Sequence, residues 1–173
     1  MTEPTIHPFI AHLQSLAEKQ DRGALAALRR GLGQPPGTAA EMFRYVEPYL
    51  PQKRSSAQEA VYYIIASLFA LHSKPTNVGN MGSHMAAIRV EGGEDALDRR
   101  FTALLAAHPD DLPNALRQAI SYLKSKEVPV NWNQLFWDLQ NWDDKRDDPR
   151  YSVQKKWASA FWGRSQSKET PNE

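Results

Sequence analysis

Cysteine is absent from the chain. That one absence removes disulfide scaffolds, cysteine-ligated zinc, iron–sulfur clusters and thiol catalysis, and it fits a reducing compartment without requiring one. Long apolar runs are missing too. The longest, Ala60–Ala66 and on through Leu71, falls short of the roughly 18 residues that suggest a membrane span. Met1–Pro8 lacks a basic start followed by an apolar stretch, so no secretory signal is expected. Nor does one charge dominate: 21 lysines and arginines face 20 acidic residues, a net charge of +1. The sequence pI near 8.0 lies below the value of about 9 typical of domains that grip nucleic acid by bulk charge. Either nucleic acid is not the partner or the basic residues are segregated. These absences together predict a soluble, cytoplasmic protein.

Catalytic signatures are equally scarce. No two of His7, His12, His72, His84 and His108 stand four apart, the spacing that sets two imidazoles over one metal, and no H-E-x-x-H occurs. G-x-x-x-x-G-K-[ST], G-x-G-x-x-G and G-x-S-x-G are absent, which leaves no argument for nucleotide hydrolysis, dinucleotide binding or an elbow serine. The one carboxylate cluster is Asp143, Asp144, Asp147 and Asp148, with Asp138 one turn back. Nucleases use such clusters to hold Mg²⁺ against phosphate, so a metal-dependent nuclease built on Asp143, Asp144 and Asp147 is one rival reading. Lys145 and Arg146 lie inside the cluster, which favours a solvated loop with helix caps. No catalysis, cofactor or metal is expected.

What the sequence does have is helical periodicity and enough chain for a core. Its 173 residues are 41% hydrophobic and 24% charged, globular proportions, and a chain of this size removes roughly 70% of its unfolded surface from water. Phe9, Leu13 and Leu16 mark one face of a first helix over about Thr5–Lys19. Asp21 caps a second helix carrying Leu25, Leu28 and Leu32, and the Gly31–Gly37 stretch breaks it. Thr38 with Glu41 reads as a capping box for a third helix ending near Pro48, and Ser56 with Glu59 as a second box. The helix that follows, Ala57 to about His72, is apolar nearly all round, the pattern of a buried central helix. Lys74–Ser83 reads as a loop. Gly82-Ser83-His84-Met85 matches a common cloning scar, but the chain continues naturally on both sides and the residues are taken as native. Further helices are expected over Glu94–Ala107, from near Pro113, from Asn131, and from Pro149 with Asp148 as cap to Gly163. The expectation is an all-α fold of about seven or eight helices in two small packed bundles, 1–75 and 84–164, followed by a frayed tail, 165–173.

The basic residues are grouped. Arg22 and Arg29 are seven apart and share a helical stripe beside the Leu25/Leu28/Leu32 face; Arg30 points further away. Lys53-Arg54, Arg99-Arg100, Arg117 with Lys124, and Arg150, Lys155, Lys156 and Arg164 follow. Such stripes either form an ordinary solvated face, with Arg99 paired to Asp95 one turn earlier, or merge into a track for a phosphate backbone. All five tryptophans fall in the last third of the chain. Trp132, Trp142 and Trp157 lie on apolar stripes. Trp137 and Trp162 lie off them: they complete a second buried contact, stack bases or meet a partner protein.

The order of these features carries a resemblance. The string Asp21-Arg22-Gly23-Ala24 through Leu28-Arg29-Arg30-Gly31, then Arg99-Arg100-Phe101 leading to Leu104-Leu105, then Trp157-Ala158 to Phe161-Trp162-Gly163, resembles the small subunit (CasB) of the type I-E CRISPR Cascade surveillance complex. The likeness spans nearly the whole chain, and D-R-G-x-x-A-x-L-R-R-G is its most specific piece. It implies an all-helical, two-bundle, non-enzymatic subunit present in two copies, in contact with the other Cascade subunits. It further implies a basic surface that holds the target and displaced DNA strands once the guide RNA pairs. By motif, the resemblance assigns nucleic-acid contact to Arg22, Arg29, Arg30, Arg99 and Arg100, and matches Lys155 and Lys156 to the basic pair before the closing tryptophan. One departure is that no Lys or Arg lies between Lys74 and Arg89; if that loop reaches DNA in the family, it reaches it less well here. The rival of another kind is a helical adaptor that binds only protein.

Overall fold

The cap residues decide where most helices begin. In the computed structural model, which describes residues 5–89, 93–144 and 148–163, α1 (Pro8–Glu18) starts with a proline that has no N–H to leave unpaired. His7 Nδ1 accepts from the Phe9 amide at 3.2 Å, and the helix buries Phe9, Ile10 and Leu13. Asp21 accepts from the Ala24 amide at 3.0 Å and opens α2 (Arg22–Arg29), which buries Ala24 and Leu28.

The third expected helix is broken into pieces: a 3-10 turn Ala40–Met42, a one-turn α3 (Phe43–Val46) and a second 3-10 turn Glu47–Tyr49. Thr38 does not cap it. Its hydroxyl donates back to the Pro35 carbonyl at 2.7 Å, which removes it from the helix start. The second capping box exists one residue earlier than expected. Ser55 Oγ accepts from the Gln58 amide at 3.1 Å and Gln58 Oε1 from the Ser55 amide at 2.8 Å, because Glu59 is taken by Arg54 at 2.7 Å.

The resulting α4 (Ser56–Leu71) is buried on nearly every side, from Val61 to Ala70. It packs on α2 at one side and on α7 (Leu112–Ser125) and α8 (Trp132–Gln140) at the other. The buried side chains therefore form one contiguous cluster running from Phe9 to Phe161.

The stretch expected as a loop to Ser83 ends sooner. Asn80 and Ser83 form a capping box for a short α5 (Met81–Ala86), a helix the periodicity did not reveal. With α6 (Glu94–Leu105) and α9 (Val153–Trp162), nine α-helices and no strand occur among the described residues. The one helix added to those placed from the sequence is α5, since the one-turn α3 is what remains of the expected third helix. The last helix also starts later than Pro149: Asp148 caps only a 3-10 turn, Pro149–Tyr151, and Ser152 caps α9. The expected tail, 165–173, lies outside the described residues.

The segment after α4 is fastened rather than free. Val130 donates to the Lys74 carbonyl at 3.0 Å and Thr76 to the Val130 carbonyl at 3.1 Å, a single parallel bridge. His84 Nε2 accepts from the Asn131 amide at 3.0 Å. α5 then lies along α9, with Gly82 against the Trp157 backbone. No helix is long and apolar enough to cross a membrane among the described residues.

Candidate nucleic-acid interface

Helix amphipathicity puts the arginines outside. On α6, Leu97, Phe101 and Leu104 turn inward, which leaves Arg99 and Arg100 exposed. On α7, Leu112, Leu116, Ala119, Ile120 and Leu123 turn inward, which leaves Arg117 and Lys124 exposed. α6 and α7 pack against each other, and a groove of about 820 Å³ along them is lined by Arg99, Arg100, Arg117, Gln118 and Tyr122. The Arg100 guanidinium sits 4.9 Å from the centre of the Tyr122 ring, close enough for the ring face to hold the cation. The Asp95–Arg99 pair that the solvated-face alternative offered is not formed. Among the described residues, none of Arg22, Arg29, Arg30, Arg99, Arg100 and Arg117 makes an ion pair with an acidic group. By contrast Arg54 is bound to Glu59 and Arg150 to Asp148.

Arg117 links this groove to the loop that follows α2. A Cβ on Gly33 would lie 2.9 Å from an Arg117 guanidinium nitrogen, so the loop that leaves α2 touches the groove. Arg29 and Arg30 close α2 just before that loop. Arg22, Arg29 and Arg30 are exposed, and Arg29 Nε is turned back onto the Leu25 carbonyl at 3.2 Å. The structure thus brings Arg99, Arg100 and Arg117 together in one groove. Arg22, Arg29 and Arg30 are not among the residues lining it. Arg117 is the residue that sequence reasoning passed over. Its seven-residue spacing to Lys124 was visible, but its contact with Gly33 joins distant parts of the chain.

Lys155 and Lys156 stand apart from the groove, exposed in the first turn of α9. Lys156 is near the buried Asp138 carboxyl, whose pKa is pushed up by burial and partly restored by Trp157, Gln134 and the Lys156 charge. Trp157 Nε1 and Gln134 Nε2 donate to that carboxylate at 2.8 and 2.9 Å, so Asp138 ties α8 to α9. Asp143 and Asp144 are exposed, and Asp147, with Lys145 and Arg146, lies outside the described residues, as does Arg164. No group of three potential ligands able to hold a metal occurs among the described residues.

The histidines have other work. His7 caps α1, His72 Nε2 meets the Val128 carbonyl at 2.6 Å, and His84 holds Asn131. His12 stacks on Tyr49, and His108 is exposed beside Asp110. Trp137 and Trp162 are 46% and 43% exposed, so neither completes a second buried contact. Trp137 rests on His7 and Phe136, and Trp162 on Phe101 and Phe161, each leaving surface for something else.

The family model for CRISPR-associated protein Cse2 matches residues 24–162. A CRISPR-associated protein Cse2 of Thermus thermophilus is 32% identical over 164 residues, covering 93% of this chain and 92% of the relative. A crystal structure of a Cse2-family CRISPR-associated protein from Thermus thermophilus superposes with a TM-score of 0.77 at 30% identity, covering 90% of this chain and 96% of that one. A chain of a CRISPR RNA-guided surveillance complex superposes with a TM-score of 0.68 at 26% identity, covering 88% and 92%. The all-helical fold and these likenesses agree: the chain belongs to the Cse2 family of CRISPR-associated proteins, the CasB-type small subunits of Cascade.

Proposed function

We propose that this small subunit holds nucleic acid by its backbone, and that it steadies the target and displaced DNA strands of the R-loop in a type I-E complex. The observation that carries the reading is the α6–α7 groove, where Arg99, Arg100 and Arg117 converge without acidic partners among the described residues. Cations left unneutralised in a concave surface attract phosphate and release its counterions. Arg22, Arg29 and Arg30 extend the basic surface on α2, and Lys155 and Lys156 add a second patch on α9. R-loop formation is nearly balanced, because the heteroduplex gained is about as stable as the duplex lost. A few backbone contacts therefore tip it, and none of them needs to break a bond. The partners are the other Cascade subunits, a second copy of this chain, and the crRNA-guided target and displaced strands. The compartment is the cytoplasm, where guide and target meet.

The test is DNA affinity at several salt concentrations for the assembled complex carrying Arg99→Ala/Arg100→Ala/Arg117→Ala. The expected result is weaker capture of unrelated target sequences by a similar factor, with the salt slope shallower by about 0.7 per lost contact on a single strand. Unchanged affinity and slope in a folded triple variant would overturn it. Such a result would favour the protein-only adaptor, whose supporting observation is the exposure of Trp137 and Trp162.

A further inference from the structure

Arg117 and Asn114, one helical turn apart on α7, line two cavities rather than one. On one side lies the α6–α7 groove. On the other is a cleft of about 620 Å³ between the Gly31–Gly37 loop, α4 and the adjoining ends of α7 and α8, within the range of small-ligand pockets. The two differ in sign. The groove has Arg99 and Arg100 on its far wall. The cleft has Asp110 and Asp143 among its lining residues, and apolar walls that include Ile64 and Leu112. Arg117 lines both, but with Asp110 and Asp143 in the cleft a phosphate is better placed in the groove, and a neutral flat ring is better buried between the apolar walls of the cleft.

We infer that the cleft receives a nucleobase from a single strand whose phosphates lie in the α6–α7 groove, with the Asn114–Arg117 ridge as the crossing point. The inference rests on the backbone-binding role proposed above and adds a base site to it. Three features select this occupant. The cleft adjoins the arginine groove through shared residues, so a strand in one is delivered to the other. Its apolar walls favour burying a ring face, which is worth stacking energy for any base. The amine-bearing edge of a cytosine or adenine would find carboxylate acceptors in Asp110 and Asp143, as carboxylates accept from cytosine N4 in base readout.

The experiment compares three oligomers of equal length, oligo-dC, oligo-dT and an abasic deoxyribose-phosphate chain, for binding to the full-length protein at one salt concentration. The expected result is that oligo-dC binds at least about fivefold tighter than the abasic chain, the lower end of one stacked base, with oligo-dT between them. Ile64→Trp, or Ala60→Phe from the same α4 wall should the first variant fail to fold, should bring the dC-to-abasic ratio to one. Equal binding of all three oligomers to the wild type would overturn the base site while leaving the backbone groove standing. Binding of none of them would overturn both. A dC preference that persists in a folded, cleft-filled variant would place the base elsewhere and overturn the assignment. So would a variant that binds oligomers like the wild type but no longer joins the complex, because the cleft would then hold a protein side chain.

Discussion

Gly82 on α5 meets Trp157 on α9 with no room for a side chain: a Cβ would stand 2.0 Å from the Trp157 carbonyl oxygen and 2.9 Å from its Cα. The obstacle is backbone, so it cannot swing aside as a flexible side chain would. Gly82→Ala should cost about 3 kcal/mol, the upper range for overpacking a core. Urea unfolding followed by helical circular dichroism measures it; a loss below about 0.5 kcal/mol would mean that α5 is not seated on α9 as described.

Acid should loosen the same region through His84. The ring is buried, its Nε2 accepts the Asn131 N–H, and burial lowers its pKa from 6.5 to about 4. Between those values the unfolded chain binds a proton that the folded chain refuses. Stability is therefore full above about pH 6.5 and falls as pH drops toward about 4, by roughly 2 kcal/mol between pH 6.5 and 5. His7 and His12 are lowered too and add the same sign. His84→Gln, which keeps an acceptor and cannot titrate, should flatten the pH profile of melting by the His84 share alone.

The register of the α4 cap is open to a paired test. Ser55→Ala should destabilise by about 1 kcal/mol, the usual worth of an N-cap, whereas Ser56→Ala, in the exposed first turn, should stay within about 0.5 kcal/mol. Thermal melts of the two variants give the comparison, and the reverse order would move the helix start to Ser56.

Gly33 should matter to DNA through Arg117. Its φ of +76° is costly for any residue with a side chain, about 1–2 kcal/mol, and a methyl there would push the Arg117 guanidinium away. Gly33→Ala should lower both stability and DNA affinity. In an Arg117→Ala background the affinity effect should vanish while the stability effect remains. A double-mutant cycle on the salt dependence of binding separates the two.

Local chemistry was legible in the sequence where one residue could do the job alone. Asp21 caps α2 as its place before the apolar periodicity implied, and α8 begins beside Asn131 as expected, with Asn131 as its cap. The all-round apolar pattern of α4 likewise announced its central place. Misreadings arose where two local solutions looked alike. Ser55/Gln58 and Ser56/Glu59 are the same pattern displaced by one, and only the Arg54–Glu59 pair chooses between them. Thr38 had two partners within reach and took the Pro35 carbonyl. α5 was hidden because a six-residue helix with glycine and serine has little propensity of its own; α9, far along the chain, stabilises it. The arginine pairs were visible as charges. Their convergence with Arg117 was not, since it depends on how α6 lies against α7 and on a glycine loop that arrives from α2.

The burial of α4 has a consequence for synthesis. Its outer faces wait for α7 and α8, and the end of α8 leaves the ribosome 69 residues after the end of α4, roughly 3–14 s later at ordinary elongation rates. At the start of that interval a sticky sixteen-residue helix has only α1–α3 for company, and its α8-facing side stays open to the end of it, so nascent chains on crowded polysomes would be the stage at which this protein most needs a chaperone.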